Sequence, residues 1–102
     1  MKKTFIPPPK VSLEAMKGLI LHDTFKRGGT RVGLTRANQL AKRKPLSLDT
    51  IKRMDAFFNR HFKNRKTPPE KGNGMIAWLL WGGDAGRSWA KSILRKAVSY
   101  TH

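Results

Sequence analysis

The 102-residue sequence has no cysteine, which excludes a disulfide framework and a thiolate metal site. Its three histidines, His22, His61 and His102, lie far apart along the chain. Scattered histidines alone do not make a zinc site. We therefore expect no metal and no other cofactor.

Long apolar runs are also missing. No run approaches the roughly 20 apolar residues that a membrane-spanning helix needs. After Met1-Lys2-Lys3, the apolar stretch is only Phe5-Ile6 before three prolines, which is too short for the core of a signal peptide. We expect neither a membrane contact nor secretion.

Acidic residues are scarce. The chain has 6 Asp and Glu against 22 Lys and Arg, a net charge of +16 and a pI of about 11.3. So basic a surface favours an anionic partner, and nucleic acid is the most direct one. Three of the acids, Glu14, Asp49 and Asp84, are placed to serve near helix starts. Asp55 and His61 lack the three- or four-residue spacing that joins side chains on a helix, so the sequence favours a binding protein over an enzyme.

The remaining composition predicts one all-α domain, a bundle of four to five short helices. Hydrophobic residues make up 38% of the chain, including three Trp and five Phe, which is enough for one modest core. We expect an extended, Pro-rich basic arm over residues 1–10, a helical domain over 11–99 with a loop at 64–74, and a tail at 100–102. The arm is either a frayed terminus or a segment that lies along a phosphate backbone.

Capping residues and apolar spacing define the predicted helices. Ser12, Thr30, Ser47 and Asp84 are expected to cap four of them, and the apolar run 75–81 forms a further buried helix. Leu13, Met16 and Ile20 are spaced as the inner face of the first helix. The predicted core consists of Trp78, Trp81, Trp89, Leu79, Ile51, Met54 and Phe58.

Two predicted helices joined by a short turn at Pro45-Leu46-Ser47 have the layout of a helix-turn-helix. A plain bundle corner explains the same residues equally well. In the first interpretation, Thr50, Lys52 and Arg53 meet base edges, while Arg43 and Lys44 lie against phosphate. The full set of predicted nucleic-acid-binding residues is Lys26, Arg27, Arg31, Arg36, Arg43, Lys44, Thr50, Lys52, Arg53, Arg60 and Lys63.

Two glycine-rich segments have a structural and a functional interpretation each. Residues 26–31 combine cations with exposed amides before a helix start, which suits a phosphate, but a glycine helix stop and a capping Thr30 also explain them. The P-loop spacing is absent. Residues 81–87 indicate a tight helix corner, in which Asp84 caps or pairs with Arg87; a ligand pocket is the alternative.

Several uncommon elements also occur in a fixed order between Val11 and Ala90. They are Arg27-Gly28-Gly29-Thr30, Arg36-Ala37, Gln39-Leu40, Leu46-Ser47, Thr50-Ile51, Arg53-Met54, Arg60-His61, Ile76-Ala77-Trp78 and the run Trp81 to Arg87. This pattern resembles a family of small tailed-bacteriophage proteins whose members carry at most a DNA-binding description. The resemblance implies a phage protein of the host cytoplasm or the virion, and it supplies no catalytic residue. The segment after His61 is richer in lysine than the family pattern, which means either a stronger phosphate contact or surface substitutions without a functional effect.

The expected function is therefore non-enzymatic nucleic-acid binding, with DNA preferred over RNA. One alternative is a virion structural or packaging protein. Another is a host-takeover factor that binds RNA polymerase or the ribosome. The oligomeric state stays open, because no apolar dimer face can be recognised.

Overall fold

The computed structural model describes residues 3–100, and the side chains of residues 3–97. Within this range the chain forms five α-helices and two short strands, which confirms the predicted all-α bundle. Each of the described helices is too short or too polar to cross a membrane. The helices are α1 (Pro9–Phe25), α2 (Arg31–Ala41), α3 (Leu48–His61), α4 (Gly74–Leu80) and α5 (Gly83–Tyr100), and the strands are β1 (Thr4–Phe5) and β2 (Leu46–Ser47).

The N-terminal segment is extended but docked on the bundle. β1 pairs antiparallel with β2, with Thr4 opposite Ser47 and Phe5 opposite Leu46. The side chain of Pro7 is fully buried, and Arg43 Nε donates to its carbonyl oxygen over 2.8 Å. The predicted arm is therefore extended only as far as Pro8, and its described part is held against the connection between α2 and α3.

The first helix starts earlier than its predicted cap. It begins at Pro9, where a proline fits because the first helical amide needs no partner. The predicted cap Ser12 instead lies buried inside the helix, where its Oγ donates to the carbonyl of Ala41 over 2.9 Å. The helix ends at Phe25, and Lys26 takes the left-handed conformation at φ 55°, so the stop precedes the two glycines.

The predicted inner face of α1 is wrong. Leu13, Met16 and Ile20 are 60%, 42% and 64% exposed, whereas Val11, Ala15 and Gly18 face the core. The reason is close packing: a Cβ on Gly18 would lie 2.6 Å from the backbone nitrogen of Leu80 in α4. So close an approach of two helices admits small side chains only, and the larger ones point outward.

The caps of α2 and α3 are as predicted. Thr30 Oγ1 accepts from the amide of Gly33 over 3.0 Å, and Ser47 Oγ accepts from the amide of Thr50 over 3.2 Å. These bonds fix where both helices start, and therefore which residues of α2 and α3 share a face.

The predicted core is largely correct. Trp78, Ile51, Met54 and Phe58 are buried, while the predicted members Trp81, Trp89 and Leu79 are partly exposed. Phe62 leaves the apolar face of α3 through a 3-10 turn over Phe62–Asn64 and is 39% exposed.

Asp84 does not cap α5 as predicted. The helix already begins at Gly83, the residue before Asp84, and Asp84 therefore lies in the first turn of the helix. Its Oδ1 accepts from the indole Nε1 of Trp78 over 2.9 Å. Asp84 thus connects α5 to α4, and it forms no ion pair with Arg87 among the described side chains.

The α2–α3 connection is more than a tight turn, because it contains β2. α2 packs mainly on α1 and also on α4, whereas α3 packs mainly on α5. The two helices of the predicted helix-turn-helix therefore contact each other little. Their separation leaves space between the start of α2 and the C-terminal half of α3.

Candidate nucleic-acid interface

The space between α2, α3 and α4 is a cavity of about 870 Å³, here called the basic cleft. Four segments form its walls: the turn before α2, one side of α3, the loop that follows α3, and α4 with Trp81. The lining residues are Gly28, Gly29, Thr30, Val32, Gly33, Arg53, Ala56, Phe57, Arg60, His61, Asn64, Thr67, Asn73, Gly74, Ala77, Leu80 and Trp81.

No acidic residue is among those that line the basic cleft. Arg53 and Arg60 contribute cations from exposed positions on α3, and His61 is half-buried beside them. A cleft that carries one sign of charge between apolar walls concentrates its field on an incoming ligand. The cleft is therefore suited to an anion that also has an apolar part.

A row of flat side chains runs along one side of the cleft. The rings of Phe57 and Trp81 are stacked, with centroids 4.5 Å apart and planes 8° apart. His61 lies 4.4 Å from the Phe57 centroid at an interplanar angle of 32°. The guanidinium of Arg36 lies 5.3 Å from the Trp81 centroid. In the order His61, Phe57, Trp81 and Arg36, these four groups join α3 to α2 through the residue that follows α4.

Arg36, one of the predicted nucleic-acid-binding residues, is only 7% exposed. Its Nη1 donates to Gln39 Oε1 over 2.6 Å, but its buried Nε has no partner. Burial lowers the pKa of Arg36, and the positive charge of Arg53 lowers it further. Arg36 forms an ion pair with no described residue. It is a buried cation whose charged neighbour has the same sign, which is an electrostatically costly arrangement.

The opposite wall is made mostly of backbone. Gly28 has φ +86°, and a Cβ there would lie 2.6 Å from the Ile76 side chain, so the turn packs directly on α4. His22 Nδ1 and the carbonyl oxygen of Arg27 are 2.9 Å apart, which ties the same turn to α1. Within segment 26–31, for which a phosphate site was one of two interpretations, Gly28, Gly29 and Thr30 line the cleft, and Thr30 is also the cap of α2.

Two amides at this edge are available to a ligand. Arg31 and Val32 precede the first intrahelical hydrogen bonds of α2, and their amides donate to no described residue. The indole Nε1 of Trp81, next to Gly33, also donates to no described residue. These donors therefore lie close together at the start of α2.

The other predicted binding residues are more dispersed. Lys26 contacts Asp23 over 3.3 Å, and Arg43 donates a hydrogen bond to the carbonyl oxygen of Pro7. The Thr50 hydroxyl is 3.1 Å from that of Ser47. The structure brings only Arg53 and Arg60 of the predicted set into the cleft lining, with Arg36 behind them. The remaining predicted residues are all exposed outside it: Arg27, Arg31, Lys44, Lys52 and Lys63.

The aromatic members of the cleft were missed as binding residues. Phe57 and His61 are four residues apart, a spacing that brings side chains together on a helix and that could have identified this pair. Trp81 lies far from them in sequence, so its stacking on Phe57 follows only from the packing of α4 against α3.

The helix corner at residues 81–87 contributes Trp81 to the basic cleft, while Asp84 of the same corner borders a second cavity. Asp84 lines a space of about 530 Å³ with Glu14, Lys17 and Arg65 over an apolar base that includes Ile20 and Met75. Charges of both signs surround this second cavity. It therefore lacks the single-sign field of the basic cleft.

The described residues contain no group of His, Cys, Asp and Glu that could hold a metal ion. No protein-family model, curated protein or solved structure matches the chain. The geometry and charge of the basic cleft are thus the basis for a functional proposal.

Proposed function

We propose that the chain is a non-enzymatic nucleic-acid-binding protein that prefers DNA, as expected of the phage family that its sequence resembles. Its binding surface is centred on the basic cleft and extends over the exposed cations around it. One observation carries the proposal: Arg36 is a buried cation with no acidic partner among the described residues, and its charged neighbour Arg53 lines a cleft that has no acidic lining residue.

The electrostatics support an anionic ligand. The neighbouring guanidiniums of Arg36 and Arg53 repel each other in the free protein, and a phosphate that pairs with Arg53 reduces that repulsion. Backbone amides at the start of α2 add donors that suit the same oxygen atoms. A polyanion satisfies the exposed cations as well, and nucleic acid carries such charges at regular spacing.

The mode of binding differs from insertion of a recognition helix. Thr50 and Lys52, near the start of α3, were predicted to meet base edges. The Thr50 hydroxyl is occupied locally by Ser47, and α2 does not pack closely behind α3. We propose that Arg53 and Arg60, which line the cleft, make the stronger contribution.

The test is fluorescence anisotropy with labelled duplex DNA, single-stranded DNA and structured RNA over a salt series. If about six phosphates are contacted, the logarithm of the association constant falls with the logarithm of salt concentration with a slope of about −5 on duplex DNA. The variant Arg53→Gln/Arg60→Gln should weaken binding at least tenfold and make this slope shallower by about 2.

A charge-matched control is Lys10→Ala/Lys96→Ala, which removes two exposed cations that do not line the cleft. This control should retain more affinity than the cleft variant. Equal losses in both variants would mean that net charge alone decides binding, the behaviour of the packaging alternative. Affinity that hardly changes with salt would refute nucleic-acid binding through the basic surface.

A further inference from the structure

We infer that the basic cleft receives one unpaired nucleotide of a DNA strand, with its base stacked on the outer face of His61 and its phosphate near the cations of the cleft and the start of α2. This inference rests on the proposed function and specifies its ligand. The lining of the cleft suits a ligand that combines an aromatic group, a negative charge and enough volume to occupy the space.

Size and lining support a nucleotide over a simple anion. The cavity of about 870 Å³ is within the range of roughly 300–1,000 Å³ typical of small-molecule sites. A phosphate ion alone would leave Phe57, Ala77, Leu80 and Trp81 without a ligand group. A nucleotide fills both the cationic and the apolar parts of the same space.

The aromatic row provides a place for a base to stack. Phe57 lies within stacking distance of two rings, and Trp81 lies between Phe57 and the guanidinium of Arg36. His61 ends the row, and Phe57 is the one described ring that it contacts. A base placed on the other face of His61 extends the row by one member. Stacking of this kind accepts any base, because every base has a π face.

Hydrogen-bond donors are arranged to bind the rest of the nucleotide. The free amides of Arg31 and of the cleft-lining Val32 lie at the start of α2, where a helix presents donors that suit a phosphate. The free indole Nε1 of Trp81 lies close to them, beside Gly33, where it can donate to a further oxygen atom of the ligand. Arg53 supplies the opposite charge.

Paired DNA cannot use these features in the same way. A base within a duplex is stacked on both faces by its neighbours, so a side chain can reach only its edges. An unpaired or extruded base exposes its faces, and the cost of extrusion is lowest where pairing is already absent. The cleft should therefore select a single-stranded site, a gap or a bulge within DNA.

The experiment compares three labelled duplexes of equal length by anisotropy. One is fully paired, one has a single bulged thymidine, and one has an abasic residue at the bulge, which keeps the phosphate and the bend but removes the base. The bulged thymidine should bind about tenfold more tightly than both other probes. The variant His61→Ala should lose this preference, while His61→Phe, which keeps a flat ring, should retain it.

Lys52→Ala is the matched control on α3, because Lys52 is exposed and does not line the cleft. It should weaken all three probes by a similar factor. Circular dichroism melts establish that each variant is folded at the assay temperature, and the comparison of probes on the unaltered protein does not depend on any variant.

Two results would overturn the inference and leave nucleic-acid binding intact. One is equal affinity for the three probes. The other is equal affinity for the two bulged probes, which would mean that the protein recognises the bend in the DNA and not the base. If no probe binds even at low salt, the proposed function fails together with this inference.

Discussion

Gly18 and Leu80 bring two helices into backbone contact: a Cβ on Gly18 would lie 2.6 Å from the Leu80 nitrogen and 3.0 Å from its Cα. Backbone atoms of a buried helix cannot move aside as a side chain can. The contact therefore fixes the separation of α1 and α4, and α4 forms one wall of the basic cleft.

We expect Gly18→Ala to destabilise the protein by about 1–3 kcal/mol, because overpacking outweighs the better helix propensity of alanine. Urea denaturation followed by far-UV circular dichroism measures this change. Lys17→Ala is the control on the same helix, since Lys17 is exposed, and it should change stability by no more than about 0.5 kcal/mol. A neutral or stabilising Gly18→Ala would contradict the close packing.

Arg36 should make the stability of the protein depend on anions. Its pKa is lower in the folded chain than in the unfolded chain, so its charge opposes folding at every pH where it is protonated, including neutral pH. An anion that binds beside it should raise the melting temperature by mass action. Inorganic phosphate should therefore stabilise the original protein more than Arg36→Met, as measured by thermal unfolding.

The control for this comparison is Lys52→Met, which removes an exposed cation from outside the cleft. Its melting temperature should rise with phosphate as much as that of the original protein. If phosphate raises the melting temperature of Arg36→Met as much as that of the original protein, the anion does not act through Arg36.

Asp84 should stabilise the fold through Trp78. Asp84→Ala leaves the buried indole N–H without its acceptor, and we expect a loss of about 1–3 kcal/mol in the free energy of unfolding. Asp84→Asn keeps an acceptor oxygen and should cost less. In a Trp78→Phe background the effect of Asp84→Ala should largely disappear, and a full effect there would show that Asp84 acts in another way.

Lys91 and Asp55 should couple α5 to α3. Lys91 Nζ is 2.9 Å from Asp55 Oδ1 and 3.3 Å from Asn59 Oδ1, and both ionised side chains are partly buried. A double-mutant cycle with alanine should give a coupling of about 0.5–1 kcal/mol that decreases with salt. The exposed pair Lys26 and Asp23 offers a comparison, and its coupling should be close to zero.

The sequence was sufficient to predict the helices whose signals are local. Thr30 and Ser47 mark helix starts because each side chain bonds an amide three residues ahead, and Ile51, Met54 and Phe58 follow one face of α3. In α1 the periodic apolar residues Leu13, Met16 and Ile20 were misleading. Periodicity identifies a face but does not say which face packs, and the close approach of α4 selects the small side chains instead.

The cleft required contacts between distant parts of the chain. Excess positive charge predicted an anionic partner, which stays a prediction, and the predicted residues included the cleft-lining Arg53 and Arg60, but charge alone did not distinguish the buried Arg36 from its exposed neighbours. The position of Arg36 next to Gly33, Ala37 and Leu40 on the inner side of α2 follows once the Thr30 cap is known. The stacking of Trp81 on Phe57 depends on how α4 packs, which no local pattern specifies.

The packing order of the helices has a consequence for synthesis of the protein. α1 is translated before two of its packing partners, α4 and α5. Before α4 and α5 are made, the residues of α1 that later become buried are exposed. Leu13 and Ile20 stay exposed in the folded protein, so the unpacked helix has apolar surface on both sides. The N-terminal half should therefore become protease-resistant only once α4 has been synthesised and can pack on α1.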